Sequence, residues 1–253
     1  MKKIIESFDR SYIINLSDRT DRRLQTEREF RLIGLNTPNE KVRFYTAYRP
    51  TQKAGFVNIG TRGNFTSHRN VLELADRDRL RNVLIFEDDV SFRNVESEFQ
   101  DQLLTQLSAE DWDVVFFAYL SPLDQTLRGP LAHWSNDIIG AHFYAVNGRF
   151  IKTMLQYMND CELRPRDHPA GGPMTADGAY NHVRYIIPNI KVLLTVPSLA
   201  YQRSSRTDVG PLRIFDRIAW LNPVLRFARA IKHQSRLSFE KYRSRERSGG
   251  SGF

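Results

Sequence analysis

A single cysteine, Cys161, stands in 253 residues, which excludes an intramolecular disulfide framework and any cysteine-rich zinc module. That economy suits a reducing compartment. No stretch of about 18 residues runs apolar without a charge, so no membrane-spanning helix is expected. The opening residues, Met1 to Arg10, become charged before the apolar core of a secretory leader could form. Internal repeats are absent. Low complexity is confined to 248–253, a Ser/Gly-rich end with the composition of a flexible tail or an expression scar. What is there is ordinary globular composition: 41% hydrophobic, 26% charged and 11% aromatic. A chain of this length buries a substantial core without staples.

Charge is the unusual quantity. The chain carries 37 Lys and Arg against 29 Asp and Glu, a formal +8. Such a balance fits nucleic acid, an anionic membrane surface or a phosphorylated substrate. Its distribution narrows the choice. Residues 212–247 hold ten basic residues and three acids, a net +7, which leaves +1 for all the rest. In that segment Arg213, Arg217, Arg226, Arg229, His233 and Arg236 recur at roughly helical spacing between Ile214, Phe215, Ile218, Trp220 and Leu225. Asn222-Pro223 reads as a helix cap followed by proline at the first helical position, so two basic amphipathic helices are expected. Such helices suit an anionic membrane surface, or docking on the rest of the chain or on a second subunit. The aromatics form no base-stacking pattern, which argues against nucleic acid.

Over the first 200 residues short apolar runs alternate with helix-like segments. Strands are expected at Tyr12 to Leu16, Lys41 to Ala47, Val83 to Phe86, Val114 to Ala118, Ala141 to Val146 and Ile190 to Val196. Helices are expected from about Thr20 to Ile33, Arg62 to Asp78, Ser97 to Leu107, Gly148 to Asn159 and Asp177 to Tyr185, with Gly34 stopping the first. Pro122 to Ile139 reads as one long loop. The alternation predicts an α/β domain on a mixed, mostly parallel sheet flanked by helices, spanning 1–211.

Three local patterns bear chemistry. The strand Val83 to Phe86 runs straight into Glu87-Asp88-Asp89, where ligands of α/β sheets bind. Adjacent carboxylates repel one another unless a cation is present. Alternation points Glu87 and Asp89 the same way, and hard oxygen ligands suit Mg²⁺ or Mn²⁺. The plain alternative is a solvated acidic turn. Next, Asn15 is followed by Arg19, Arg22 and Arg23, residues that suit a nucleotide or a charged first helical turn with Asp18, Asp21 and Glu27. Finally, Gly60 and Gly63 open a helix that carries His68. Glycine permits close backbone approach to a ligand, whereas His68 shares its face with Phe65 and Leu72 and also reads as a core histidine.

In this order, these patterns resemble glycosyltransferase family 25, which includes bacterial lipooligosaccharide galactosyltransferases and collagen galactosyltransferases. Phe143-Tyr144-Ala145-Val146 followed by Gly148, then Pro197-Ser198-Leu199 with Gln202 and Ser204 to Asp208, extend the resemblance over roughly residues 11 to 209. It implies a GT-A-like (Rossmann-like) fold, a nucleotide-sugar donor, commonly UDP-linked, and transfer of a sugar such as galactose with inversion. The acids would correspond to a DXD motif, with Asp89 and Glu87 on Mn²⁺ or Mg²⁺ and Glu87 or Asp88 facing the ribose. Asn15, Arg19, Arg22, Gly63 and His68 would lie near the nucleotide. Inverting transfer needs a base for the acceptor hydroxyl. Asp177 is the candidate, with a helix cap as its alternative role; His142, Gln202 and Asp208 are further candidates at the acceptor or the metal. Two departures concern the donor: Asn64-Phe65-Thr66 stand where small residues or cysteine belong, and Arg203 follows Gln202. The reading is of a cytoplasmic enzyme, peripheral on the inner membrane face, acting on a glycan or lipid-linked acceptor in bacterial surface polysaccharide synthesis. The competing class is a non-catalytic anion-binding module that uses the basic tail.

Overall fold

The computed structural model describes residues 1–122 and 127–203. The chain divides after Gln202, and the unit Met1–Gln202 holds the elements described. In order these are α1 (Lys2–Glu6), β1 (Arg10–Asn15), α2 (Thr20–Leu32), β2 (Val42–Thr46), α3 (Ile59–Arg77), β3 (Asn82–Glu87), β4 (Val90–Phe92), α4 (Ser97–Ala109), β5 (Val114–Ala118), β6 (Leu131–His133), β7 (Phe143–Asn147), α5 (Gly148–Leu163), α6 (Ala176–Ile186), β8 (Val192–Thr195) and β9 (Ala200–Gln202). The predicted basic helices in 212–247, the end at 248–253 and Asp208 lie outside the described residues.

Seven strands form one sheet in the order β2-β1-β3-β7-β5-β8-β6. Strands β1, β2 and β3 pair in parallel, as do β5 and β8. Strand β7 runs antiparallel to both β3 and β5, and β6 is antiparallel to β8. The fold is therefore α/β on a mixed, mostly parallel sheet with helices on both faces. Alternating side chains supply the two cores. Tyr12, Ile14, Val83, Ile85, Val114 and Phe116 pack with residues of α3, α5 and α6. Ile13, Leu84, Phe86, Val115 and Phe117 pack on the other face with residues of α1, α2 and α4. A strand buried on both faces needs an unbroken apolar run, which is why β3 and β5 stand out in the sequence.

Local signals account for several boundaries. Gly34 closes α2 with φ of +78°, its N–H bonding to Arg31 while Leu35 N–H bonds to Phe30 at 3.0 Å. That is a Schellman closure, and glycine meets the left-handed position without a Cβ penalty. Helix α3 begins three residues before the expected start, because Asn58 caps it by accepting from Thr61 N–H at 2.7 Å. The long loop expected between Pro122 and Ile139 contains the edge strand β6. Among the described residues no helix is long and apolar enough to cross a membrane.

Candidate functional site

Strands β1 and β3 end side by side, with Ile14 level with Glu87. Their carboxyl ends place Asn15 against the acidic triplet. The chain turns at Asp88-Asp89 and enters β4, which pairs with β9 to form a separate two-stranded sheet, Val90 opposite Gln202. That pairing brings Gln202 over the acids. Its Nε2 donates to Glu87 Oε2 at 3.4 Å and to Asp89 Oδ2 at 3.2 Å, so Glu87 and Asp89 converge on one amide, although the turn at Asp88-Asp89 and not strand alternation sets the direction of Asp89.

Asp88 points elsewhere. It is 6% exposed and accepts from Asn15 Nδ2 at 2.8 Å and Arg22 Nη1 at 2.7 Å. Thr26 Oγ1 donates to its backbone carbonyl at 2.6 Å. Helix α2 thereby braces the turn through Arg22 and Thr26, one helical turn apart. Arg22 also lies 3.7 Å from Asp89 Oδ2. Part of the repulsion among the acids is relieved by this arginine. Arg19 forks onto Asp21 instead, and its carbonyl accepts from Asn15.

Helix α3 supplies the other wall. Asn64 and His68, at i and i+4 on one face, both reach Glu87 Oε1, at 2.9 Å and 3.4 Å. His68 is fully buried, as its core alternative requires, with Nδ1 2.7 Å from Tyr144 OH. Burial, and then the neighbouring Tyr180, push the Tyr144 phenol well above its ordinary range. The phenol therefore stays protonated, and the His68 ring links it to Glu87, donor and acceptor roles following the ring tautomer. Burial disfavours the charged form of Glu87, yet contacts with His68, His142 and Asn64 outweigh it and hold the carboxyl below its usual range. Asn64 is a site residue the sequence reading treated only as a departure from pattern; its spacing from His68 was the available signal.

His142 is 1% exposed, with neither ring nitrogen hydrogen-bonded, and its carbonyl accepts from Glu87 N–H at 3.0 Å. Burial lowers its pKa against the opposing pull of Glu87. Gly63 serves packing: a Cβ there would meet the Tyr48 carbonyl at 2.8 Å. Ser67 completes that contact by accepting from Tyr48 N–H at 2.8 Å. Gly63 thus admits the chain following β2 against α3. Asp177 lies in the first turn of α6, where Thr175 is the cap. Its Oδ2 accepts from Gly140 N–H at 2.9 Å and its Oδ1 from Gly178 N–H at 3.0 Å.

A hard cation fits what is present. Glu87 and Asp89 direct oxygens to one point, while no group of three or more His, Cys, Asp or Glu among the described residues is arranged to hold a metal. Two carboxylates without a closed cage could hold a hard cation and would leave its remaining positions to other oxygen ligands. A hollow of about 460 Å³ lined by Asp76, Arg77, Arg79, Gly148 and Lys152 shares no residue with this cluster.

No family model matches the chain. Over a 128-residue alignment it is 30% identical to a Drosophila melanogaster protein described as "Glycosyltransferase 25 family member", covering 44% of this chain and 21% of that protein. The matched stretch thus spans about a fifth of the relative's length. Among solved structures, A197 from STIV has a TM-score of 0.39 at 15% identity, covering 80% of this chain and 93% of its own. A glycosyltransferase involved in glycosylation of the PBCV-1 major capsid has a TM-score of 0.40 at 13% identity, covering 73% and 81%. GlyE of Streptococcus pneumoniae TIGR4 has a TM-score of 0.38 at 11% identity, covering 84% and 59%. Structural likenesses of this size carry no argument about fold or activity.

Proposed function

We propose that this chain is a glycosyltransferase that moves a sugar from a nucleotide-sugar donor to a glycan or lipid-linked acceptor, with inversion. The observation that carries the proposal is the convergence of Glu87 and Asp89 at the carboxyl end of β3, beside Asn15 at the end of β1. The partial sequence match to a glycosyltransferase 25 family member supports the same class.

In this reading the donor diphosphate faces Glu87 and Asp89, and Mn²⁺ or Mg²⁺ held by Asp89 and Glu87 would neutralise charge on the leaving nucleoside diphosphate. Arg22 and Asn15 hold Asp88 inward, so the other two carboxylates keep their direction. Asn64 and His68 fix the Glu87 carboxylate from the α3 side. The acceptor hydroxyl oxygen bonds to the anomeric carbon as the sugar–diphosphate bond breaks on the opposite face. Asp177 takes the hydroxyl proton on a carboxylate oxygen. Donor identity (UDP-galactose is the first to try), a role in bacterial surface polysaccharide synthesis and residence at the inner membrane face belong to this proposal.

The test is a screen of nucleotide sugars for hydrolysis and transfer by the full chain, with Mn²⁺, with Mg²⁺ and with chelator. Turnover of one nucleotide sugar that chelator abolishes is the expected result. Turnover undiminished by chelator would remove the metal, and no turnover of any nucleotide sugar would remove the class.

A further inference from the structure

Four side chains on one face of α6 tie down the segment that leads into β7. Asp177, Asn181, Arg184 and Tyr185 follow helical spacing, and each bonds to a different part of residues 134–140. Asn181 Oδ1 accepts from Ile138 N–H at 2.9 Å, and its Nδ2 donates to the Ile138 carbonyl at 2.8 Å. Asp177 Oδ2 accepts from Gly140 N–H at 2.9 Å. Arg184 donates to the carbonyls of Asn136 at 2.8 Å and Trp134 at 3.1 Å, and Tyr185 OH to Asp137 Oδ1 at 3.1 Å. From the other side Ser121 Oγ accepts from Ile139 N–H at 2.7 Å, and Leu120 N–H bonds to the Ile139 carbonyl at 2.7 Å. Gly140 has φ of +84°, and a Cβ there would come within 3.1 Å of Leu120 and 3.3 Å of His142 Nδ1. The segment is held at every peptide from 138 to 140. Two residues on, the His142 carbonyl meets Glu87 N–H.

We infer that Asn181 is a positioning residue: by closing both hydrogen bonds of the Ile138 residue it sets the placement of residues 138–142, and with it the register between Asp177 and Glu87. The inference rests on the glycosyltransferase reading. Ile138 is 1% exposed, so its N–H and carbonyl have no recourse to solvent. An asparagine amide matches them as a neighbouring strand would, donor to acceptor and acceptor to donor. Aspartate lacks the donor, and leucine lacks both. Arg184 holds the same segment but at its far end, two and four residues before Ile138. Position near Gly140, rather than the number of bonds, is therefore what should govern turnover.

The experiment compares Asn181→Ala with Arg184→Ala in the full chain. It measures Tm, UDP affinity by calorimetry, and kcat for the nucleotide sugar that wild type turns over. Each variant loses two hydrogen bonds, but Asn181→Ala should lower Tm more, because the Ile138 groups it frees are buried whereas the Asn136 carbonyl bonded by Arg184 is exposed. Asn181→Ala should lower kcat roughly tenfold, since misplacing a reacting group by a fraction of an ångström is enough for that. Arg184→Ala should lower it less than about threefold, and UDP affinity should hold in both. If Asn181→Ala does not fold, Asn181→Ser retains one hydroxyl partner and carries the same comparison. Loss of kcat in proportion to Tm across the two variants, unchanged kcat in the Asn181 variant, or a matching loss of UDP affinity would overturn the positioning role alone. Wild-type chain that turns over no nucleotide sugar overturns it together with the reading beneath it.

Discussion

Strand β3 joins two charged edges that are built differently. At its amino edge each acid meets a basic partner near solvent: Asp9 with Arg81 at 2.7 Å, and Arg10 with Asp78 at 2.7 Å. Asn82 accepts from Asp9 N–H and ties the strand to the turn before β1. At the carboxyl edge three successive acids stand together, and two of them are almost buried. There Asp88 is taken up by Arg22 and Asn15, whereas Glu87 and Asp89 meet over an amide. The first arrangement satisfies its own charges and stabilises little, as exposed pairs do. The second gathers carboxylates that amides, histidines and Arg22 offset only in part, and under the proposed function it would take a cation with the donor diphosphate. On that proposal the contrast separates charge used for folding from charge held for a ligand.

The comparison can be broken by substitution. The largest expected effect is at the converging acids: Asp89→Asn should cut nucleotide-sugar turnover by on the order of 10³-fold, the scale of several kcal/mol of charge stabilisation. Asp78→Asn at the opposite edge should leave it within about twofold, as a surface pair is worth little. Similar rates for the two variants would erase the distinction between the edges. Next, Asp177→Asn should lower kcat roughly 10²-fold while UDP affinity persists, the scale of a lost general base; a wild-type rate would reduce Asp177 to its hydrogen bonds with Gly140 and Gly178.

Stability should divide the same way. Arg22→Met leaves Asp88, whose side chain is only 8% exposed, without its arginine. Urea unfolding should show a loss of about 3 kcal/mol, as for a broken buried pair. Arg10→Met should lose less than about 1 kcal/mol by the same measurement. Equal losses would mean that Asp88 is as well hydrated as Asp78. The smallest effect is in pH. The hydrogen bonds from Arg81 hold Asp9 below its ordinary range. Its contribution is therefore full above the unfolded value of ~3.9 and lost as pH falls through the lower folded value. The Tm advantage of wild type over Asp9→Asn should accordingly shrink as pH drops from about 5 to 2, and a constant gap would mean that Asp9 is not shifted.

Much of this was legible before the fold was known, and particular residues show where legibility stopped. The run Val83 to Phe86 announced a strand buried on both faces, and the acids after it announced a strand end. Gly34 announced a helix stop, and Asn147, one residue before the expected helix, became the cap of α5. The direction of β7 was not legible, because apolar residues buried on both faces read alike in either direction, and β6 lies in a stretch that reads as loop. Strands β4 and β9, three residues each, carry no periodicity to detect. Asn64 was visible only as an exception, since its importance depends on which residue lies across from α3.

The sequence by itself determined the longer strands and helices, and that three carboxylates end a buried strand. Periodicity and composition are local, and burial of an alternating or continuous apolar pattern follows from them directly. Which carboxylates converge was decided by tertiary structure. Gln202 reaches Glu87 and Asp89 from 115 and 113 residues away because β9 pairs with β4, and Arg22 reaches Asp88 from 66 residues away because α2 packs beneath the turn. The same holds for Asn181, 43 residues from Ile138. Hydrogen bonds across such separations depend on the packing of whole elements, and no local pattern encodes them.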